Sequence, residues 1–259
     1  MKRVLTAATG IPVVLGVTYW GSNWAFGSLV ALVGVLALDE FLDLGASKGA
    51  EPGTHRPGYW FVPVGASLTL SFLGPPVSTF GTFLLGALLL ISTALASHSS
   101  GPALRYFANG LTGLFYTCLL LGFLILLSRF AVFVVLGIIW AGDSVAYYIG
   151  SRWGQHQLAP RTSPGKTVEG AVAGTIASLA AGVGLGGILL DISYFSLSLI
   201  SLITALAGQA GDLCESALKR RVGVKDSSNR LPGHGGVLDR VDSLLFAAPV
   251  FYLLLLLLQ

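Results

Sequence analysis

Charge is scarce in this sequence. Asp, Glu, Lys and Arg make up 10% of 259 residues, hydrophobic types make up 54%, and the mean hydropathy is +0.78. A soluble domain carries about 25% charged residues, so that class is excluded and an integral membrane protein is implied. Cysteine is nearly absent. Cys118 and Cys214 lie in or beside apolar runs without metal-type spacing, which excludes a disulfide scaffold and a zinc centre and predicts two small buried side chains. Lys2 and Arg3 precede an apolar run, as in a signal peptide. No small-residue cleavage site follows, so an uncleaved first helix is expected. There is also no internal repeat, low-complexity tail or soluble domain.

What the chain has in quantity is apolar length and glycine. Its 34 glycines suit membrane helices that approach one another closely. With about 17–25 apolar residues per crossing, nine spans are expected, near 4–20, 23–43, 59–75, 79–97, 111–127, 130–150, 168–190, 194–211 and 243–258. The expected fold is therefore an all-α polytopic helical bundle. If the N-terminus is cytoplasmic, the inner side collects Lys2, Arg3, Lys48, Arg56, Arg105, Arg152, Arg161, Lys166 and the basic residues of 219–240, while the outer side keeps only Arg129. That asymmetry follows the positive-inside rule. The long polar connections, 45–58, 98–110, 151–167 and 212–242, all fall on the inner side. Residues 1–110 read as N-terminal transmembrane helices and 111–259 as a C-terminal catalytic transmembrane domain with the loop 212–242.

That last connection is where the scarce charge concentrates. SALKRRVGVKDSSNRLPGHGGVLDRVD, residues 216–242, holds Lys219, Arg220, Arg221, Lys225, Asp226, Arg230, His234, Asp239, Arg240 and Asp242 between two apolar runs. Ionisable groups against a bilayer are expensive and mark functional sites. Phosphate chemistry needs cations, metal-holding carboxylates and backbone that can approach an anion, and the segment supplies each. Asp212, Glu215 and Lys219 are spaced i, i+3, i+7 and share a helical face. Asp239 and Asp242 begin the ninth span, where carboxylates also complement the helix dipole. Two carboxylates from one helix and one from another suffice for Mg²⁺, with water and phosphate completing the shell. The amides of Gly233-His234-Gly235-Gly236 offer a phosphate cradle. Arg221 reads as juxtamembrane charge, and His234 as either a loop donor or a phosphate contact.

Upstream, Asp143 falls late in the sixth span, as a site residue or a helix-to-helix hydrogen bond. Glu169 opens the seventh span, where a carboxylate needs no catalytic explanation. Gly170-x-x-x-Gly174 predicts a packing face. Asp39, Glu40 and Asp43, at the inner end of the second span, suggest an interfacial or packing role, with helix-to-helix pairing possible. His55, His98 and His156 are isolated loop residues with no assigned role.

Ser216-x-Leu218-Lys219-Arg220, then Lys225-Asp226, then Leu231-Pro232-x-His234-Gly235-Gly236-x-x-Asp239-Arg240-x-Asp242 resembles the signature of phosphatidate cytidylyltransferases (CDP-diacylglycerol synthases). Gly211-Asp212-Leu213-x-Glu215-Ser216 is similar to the family's lead-in, and Asp143-Ser144-x-Ala146-Tyr147 with Gly150-x-Arg152 to its helix-and-loop element. Ser163-Pro164-Gly165-Lys166-Thr167-Val168-Glu169-Gly170 resembles a segment that usually carries two lysines; Gly165 replaces the first, leaving Lys166 alone. The resemblance runs from about residue 140 onward, and the earlier spans match only as a hydrophobic profile.

The resemblance implies transfer of CMP from CTP to phosphatidic acid, giving CDP-diacylglycerol and pyrophosphate, at a bacterial inner-membrane site facing the cytoplasm. It implies Mg²⁺ or Mn²⁺, leaves a monovalent cation open, and implies a homodimer in the lipid bilayer with no nucleic-acid partner. Asp212, Asp239 and Asp242 are the metal candidates, with Asp143 in support. Lys166, Lys219, Arg220, Lys225 and Arg240 are the expected phosphate contacts, Asp226 and His234 further catalytic candidates, and Ser216, Gly235, Gly236 and Asp143 the expected substrate-binding residues. Two other readings stay open: a CTP-dependent lipid kinase, and a transporter. Charge at the helix ends and the lack of paired Gly/Pro-broken spans speak against the transporter.

Overall fold

A computed structural model describes residues 2–46, 58–96, 108–231 and 235–258. Helices dominate: α1 Lys2–Trp20, α2 Asn23–Ala46, α3 Gly58–Leu70 with a 3-10 turn Ser71–Leu73, α4 Pro76–Ala96, α5 Ala108–Leu126, α6 Arg129–Trp153, α7 Val168–Leu189, α8 Tyr194–Val222 and α9 Leu238–Leu258. Among the described residues six of these, α2 and α5 to α9, are long and apolar enough to cross a membrane. The described apolar stretches of α1, α3 and α4 are shorter: Ala8–Trp20, Phe61–Leu73 and Val77–Leu88. One departure from a purely helical chain is a small antiparallel hairpin, β1 Gln157–Ala159 with β2 Ser163–Thr167. The polar connection 151–167 gave no period-2 pattern that would have announced it.

The chain packs as two compact units. The first joins residues 1–126 to the distant segment Asp226–Leu238. Its core gathers Leu38, Leu42, Phe61, Leu68, Leu114 and Cys118; of the two cysteines expected to be buried, Cys118 is fully so, whereas Cys214 is only partly buried. Residues Leu114–Leu119 widen into a π-helical turn, which disturbs the regular backbone ladder. Thr69 Oγ1, 3.4 Å from the Cys118 carbonyl, donates to it there. Gly65 has no room for a side chain, because a Cβ would lie 2.8 Å from Cys118 Sγ.

The second unit joins 127–225 to 239–259 and is organised by small residues. Along α7, Gly170, Gly174, Ser178, Gly182 and Gly186 recur every fourth position and are all buried. A Cβ at Gly170 or Gly174 would stand 2.7 or 2.8 Å from the carbonyls of Ala146 and Gly142 on α6. Ser178 Oγ donates to Ile138 O at 2.7 Å, while Gly182 and Gly186 face Ser201 and Leu197 of α8. The packing face expected from Gly170 and Gly174 is therefore present and extends the length of the helix. The opposite side exposes Val172, Ile176 and Ile188.

Two further features position the site. Helix α8 has 29 residues, about 43 Å at 1.5 Å per residue, against a hydrocarbon core of about 30 Å. Its last turns, Asp212 to Arg221, can therefore leave the apolar layer. At Gly211 a Cβ would meet Asp242 O at 2.6 Å, so glycine lets the backbone of α9 approach α8 beside Asp212.

Candidate active site

Within the second unit, α6, β2, α8 and α9 bring most of the expected charged residues together. Lys166 Nζ of β2 forms an ion pair with Asp212 of α8, whose other oxygen faces Ser216 Oγ at 3.5 Å. Lys219, further along α8, is held between two acids: it pairs with Glu215 and donates to Asp239 Oδ1 of α9 at 2.6 Å. Glu215 is fully buried, and the Lys219 side chain is 11% exposed. Asp143 lies within electrostatic range of Asp212, Lys166 and Arg240. Asp242 lies within range of Asp212, Asp143 and Lys219. The i, i+3, i+7 face of α8 is thus the spine of the site.

The hairpin is braced at both ends. Thr167 Oγ1 caps α7 by accepting from Gly170 N at 3.2 Å. Glu169 Oε2 accepts from Gln155 N at 3.1 Å and His156 N at 3.3 Å, and its other oxygen lies 2.6 Å from His156 Nδ1. Glu169 therefore ties down the connection that carries Lys166, in keeping with the non-catalytic role expected of it. His156, unassigned from sequence, is its partner. Arg220 donates from Nε to Thr162 O and from Nη1 to Val224 O, both at 3.1 Å. Its guanidinium thus links the hairpin tip to the end of α8, and it remains exposed. Gly165 is open to its surroundings, since a Cβ added there would meet nothing within 4 Å.

Gly223, at φ 83°, ends α8 in the left-handed conformation that glycine tolerates. Lys225 and Asp226 follow on an exposed turn. From Asp226 to Leu238 the signature belongs to the first unit, and from Asp239 it returns to the second. Leu231 N donates to Gly235 O at 2.9 Å, and Gly235 turns the chain at φ 79°. His234 lies outside the described residues. The amides of Val237 and Leu238, at the start of α9, donate to Glu40 of α2 at 3.0 and 2.8 Å. Those two donors, which a phosphate would otherwise favour, already serve a carboxylate. Asp39 pairs with Arg230, and this hydrogen-bonded carboxylate raises the Arg230 pKa above its ordinary value. The sequence alone suggested an interface or packing role for Asp39 and Glu40. Their loop partners lie 187 or more residues away, beyond any spacing rule.

The chemistry of the second-unit cluster follows from its composition. Five carboxylates, Asp143, Asp212, Glu215, Asp239 and Asp242, accompany three cations, Lys166, Lys219 and Arg240. Such a donor set suits a hard divalent cation, which prefers carboxylate, water and phosphate oxygens. Among the described residues no three His, Cys, Asp or Glu side chains converge as a ready-made metal cage.

The family model for cytidylyltransferases matches residues 1–258. The chain belongs to the cytidylyltransferase family. Among cytidylyltransferase relatives, it is 32% identical over 255 residues to a phosphatidate cytidylyltransferase of Brucella abortus (strain 2308), covering 97% of this chain and 91% of that one. It is 44% identical over 169 residues to the phosphatidate cytidylyltransferase of Bacillus subtilis (strain 168), covering 62% and 56%. A third, from Staphylococcus saprophyticus, is 46% identical over 120 residues, covering 46% of each chain. The cytidylyltransferase match extends through the first five helices, which the signature segments alone did not reach.

Proposed function

We propose that this cytidylyltransferase joins CTP to phosphatidic acid, releasing pyrophosphate and leaving CDP-diacylglycerol in the membrane. The observation that carries the reading is the chain of alternating charge Lys166–Asp212 and Glu215–Lys219–Asp239, set where apolar helices end. The names of the relatives supply the substrate class.

In the proposed reaction an oxygen of the lipid phosphomonoester attacks the α-phosphorus of CTP. The new P–O bond forms as the bond to the β-phosphate bridging oxygen breaks, and pyrophosphate departs with that electron pair. Both reactants are polyanions, so the approach needs fixed positive charge. Lys166, Lys219 and Arg240 supply it in the second unit; Lys225 is exposed beyond α8, and Arg220 holds the hairpin that presents Lys166. Each lysine is matched by a carboxylate, so a phosphate oxygen that takes the lysine leaves that carboxylate for a metal. Asp212 and Asp242 would hold Mg²⁺ or Mn²⁺, with Asp143 and Asp239 beside them, and such an ion would neutralise charge on the phosphates. A monovalent cation remains compatible with the surplus of carboxylates. The substrate brings its own nucleophile, so Cys214 has no task in the chemistry.

The proposal extends to topology: nine crossings, an inward N-terminus, a cytoplasm-facing 212–242 segment in the inner membrane, and a homodimer as the family resemblance implies. Aromatic side chains support it. Trp20 and Trp24 are exposed at one helix connection, and Tyr147, Tyr148 and Trp153 near the end of α6, as expected of interfacial belts. The test is pyrophosphate release by the purified protein in detergent. Release should require CTP, phosphatidic acid and a divalent cation together. Release without lipid, or undiminished release in chelator, would overturn the reading.

A further inference from the structure

A carboxylate with no solvent exposure is expensive unless its oxygens are fully hydrogen-bonded. Glu40, 0% exposed on α2, meets that condition in an unusual way. Oε1 accepts from Ser228 Oγ at 2.7 Å and from Val237 N at 3.0 Å. Oε2 accepts from Ser227 Oγ at 2.8 Å and from Leu238 N at 2.8 Å. Each oxygen therefore takes one donor from the beginning of the signature loop and one from its end. The preceding residue on the helix, Asp39, adds a tie to Arg230 in the middle of the loop. Gly236 closes against the same carboxylate, since a Cβ there would overlap both Ser227 Oγ and Glu40 Oε2.

We infer that Glu40 is a positioning residue of this enzyme, a clasp that fixes both ends of the 227–238 loop and so sets the placement of Gly236 and of the start of α9. The inference rests on reading residues 212–242 as the cytidylyltransferase site. Only an acid of this length fits the task. A carboxylate is acceptor-only, with two oxygens that each take two donors. Glutamine keeps the shape but turns one oxygen into an NH₂, which faces a backbone N–H whichever way the amide lies. One loop end is then released. Leu238 is bonded to Asp239, the acid paired with Lys219, so the clasp ends one residue from the charged cluster. The helix start it occupies is a natural anion site, and here the anion is built into the protein.

The test uses the full chain in detergent with Cys118 and Cys214 replaced and Asn229, an exposed loop residue, changed to Cys as a reporter. Glu40→Gln should speed modification of that thiol severalfold. It should also lower kcat by about tenfold or more, since a misplacement near 1 Å can cost about a hundredfold, with little change in melting temperature. A residue that merely holds the fold together would lower the melting temperature and leave kcat of the surviving protein intact, and that outcome overturns the inference. So does a kcat within about twofold of the parent with unchanged labelling. If Glu40→Gln fails to assemble, the Ser227→Ala/Ser228→Ala pair decides: it removes two donors and leaves the carboxylate in place, and unchanged labelling and kcat would reject the clasp. The labelling rate needs no substrate, so a chain that makes no CDP-lipid in any form would refute the activity and leave the clasp to be judged by labelling.

Discussion

Lys166 is the residue on which the phosphate chemistry can be tested most sharply, because Gly165 leaves no second lysine beside it. Its ammonium is partly shielded and paired with Asp212. Lys166→Ala removes a charge-assisted phosphate contact worth about 1.5–3 kcal/mol. At about 1.4 kcal/mol per tenfold, that is a loss of roughly 10- to 150-fold in kcat/KM. The same change strands the Asp212 carboxylate, but the pair is partly exposed, so this contributes about 1 kcal/mol at most. The assay is transfer of labelled CMP into organic-extractable lipid, measured in mixed micelles over a range of CTP. A loss below about twofold for Lys166→Ala would refute the reasoning.

Three other outcomes follow from the packing and charge. Lys219→Met removes the cation held between Glu215 and Asp239 and should destabilise the protein by about 3–5 kcal/mol; an unchanged melting temperature in detergent would contradict the buried triad. Gly182→Val would drive a Cβ into Ser201 Oγ and to 2.9 Å from Ile138, an overpacking of about 1–3 kcal/mol or more, read as a lower midpoint in thermal unfolding. Asn229→Cys, with the native cysteines removed, should be labelled by an impermeant thiol reagent only in inside-out vesicles; labelling in right-side-out vesicles would invert the proposed topology.

The helices and the charged face were legible in the sequence because both are local. The ninth span follows from the apolar run after Asp242, although its helix begins earlier, at Leu238, than the expected limit of 243. The convergence of Asp212, Glu215 and Lys219 follows from helical spacing, and the first contacts of the α7 stripe from Gly170 and Gly174; its continuation through Ser178, Gly182 and Gly186 emerged from the packing. Sequence also pointed to Lys166 through the segment around Thr167, although not to the hairpin that presents it, whose polar strands lack alternation. Glu40 was out of reach. Its four donors come from positions 187–198 residues away, and nothing in LALDEFLDLG distinguishes a loop clasp from an interfacial acid. The lengths of α1, α3 and α4 were equally hard to read, since hydropathy locates an apolar stretch without fixing how far the helix continues.

The central claim is transfer of the cytidylyl group itself, and CTP labelled in parallel preparations at the α- or γ-phosphate tests it directly. Incubated with the purified protein, phosphatidic acid and Mg²⁺, the α-label should enter the lipid fraction as CDP-diacylglycerol while the γ-label leaves in pyrophosphate. The γ-label in lipid would mark a kinase and contradict the account, as would the absence of both labels from lipid under conditions where the protein is folded.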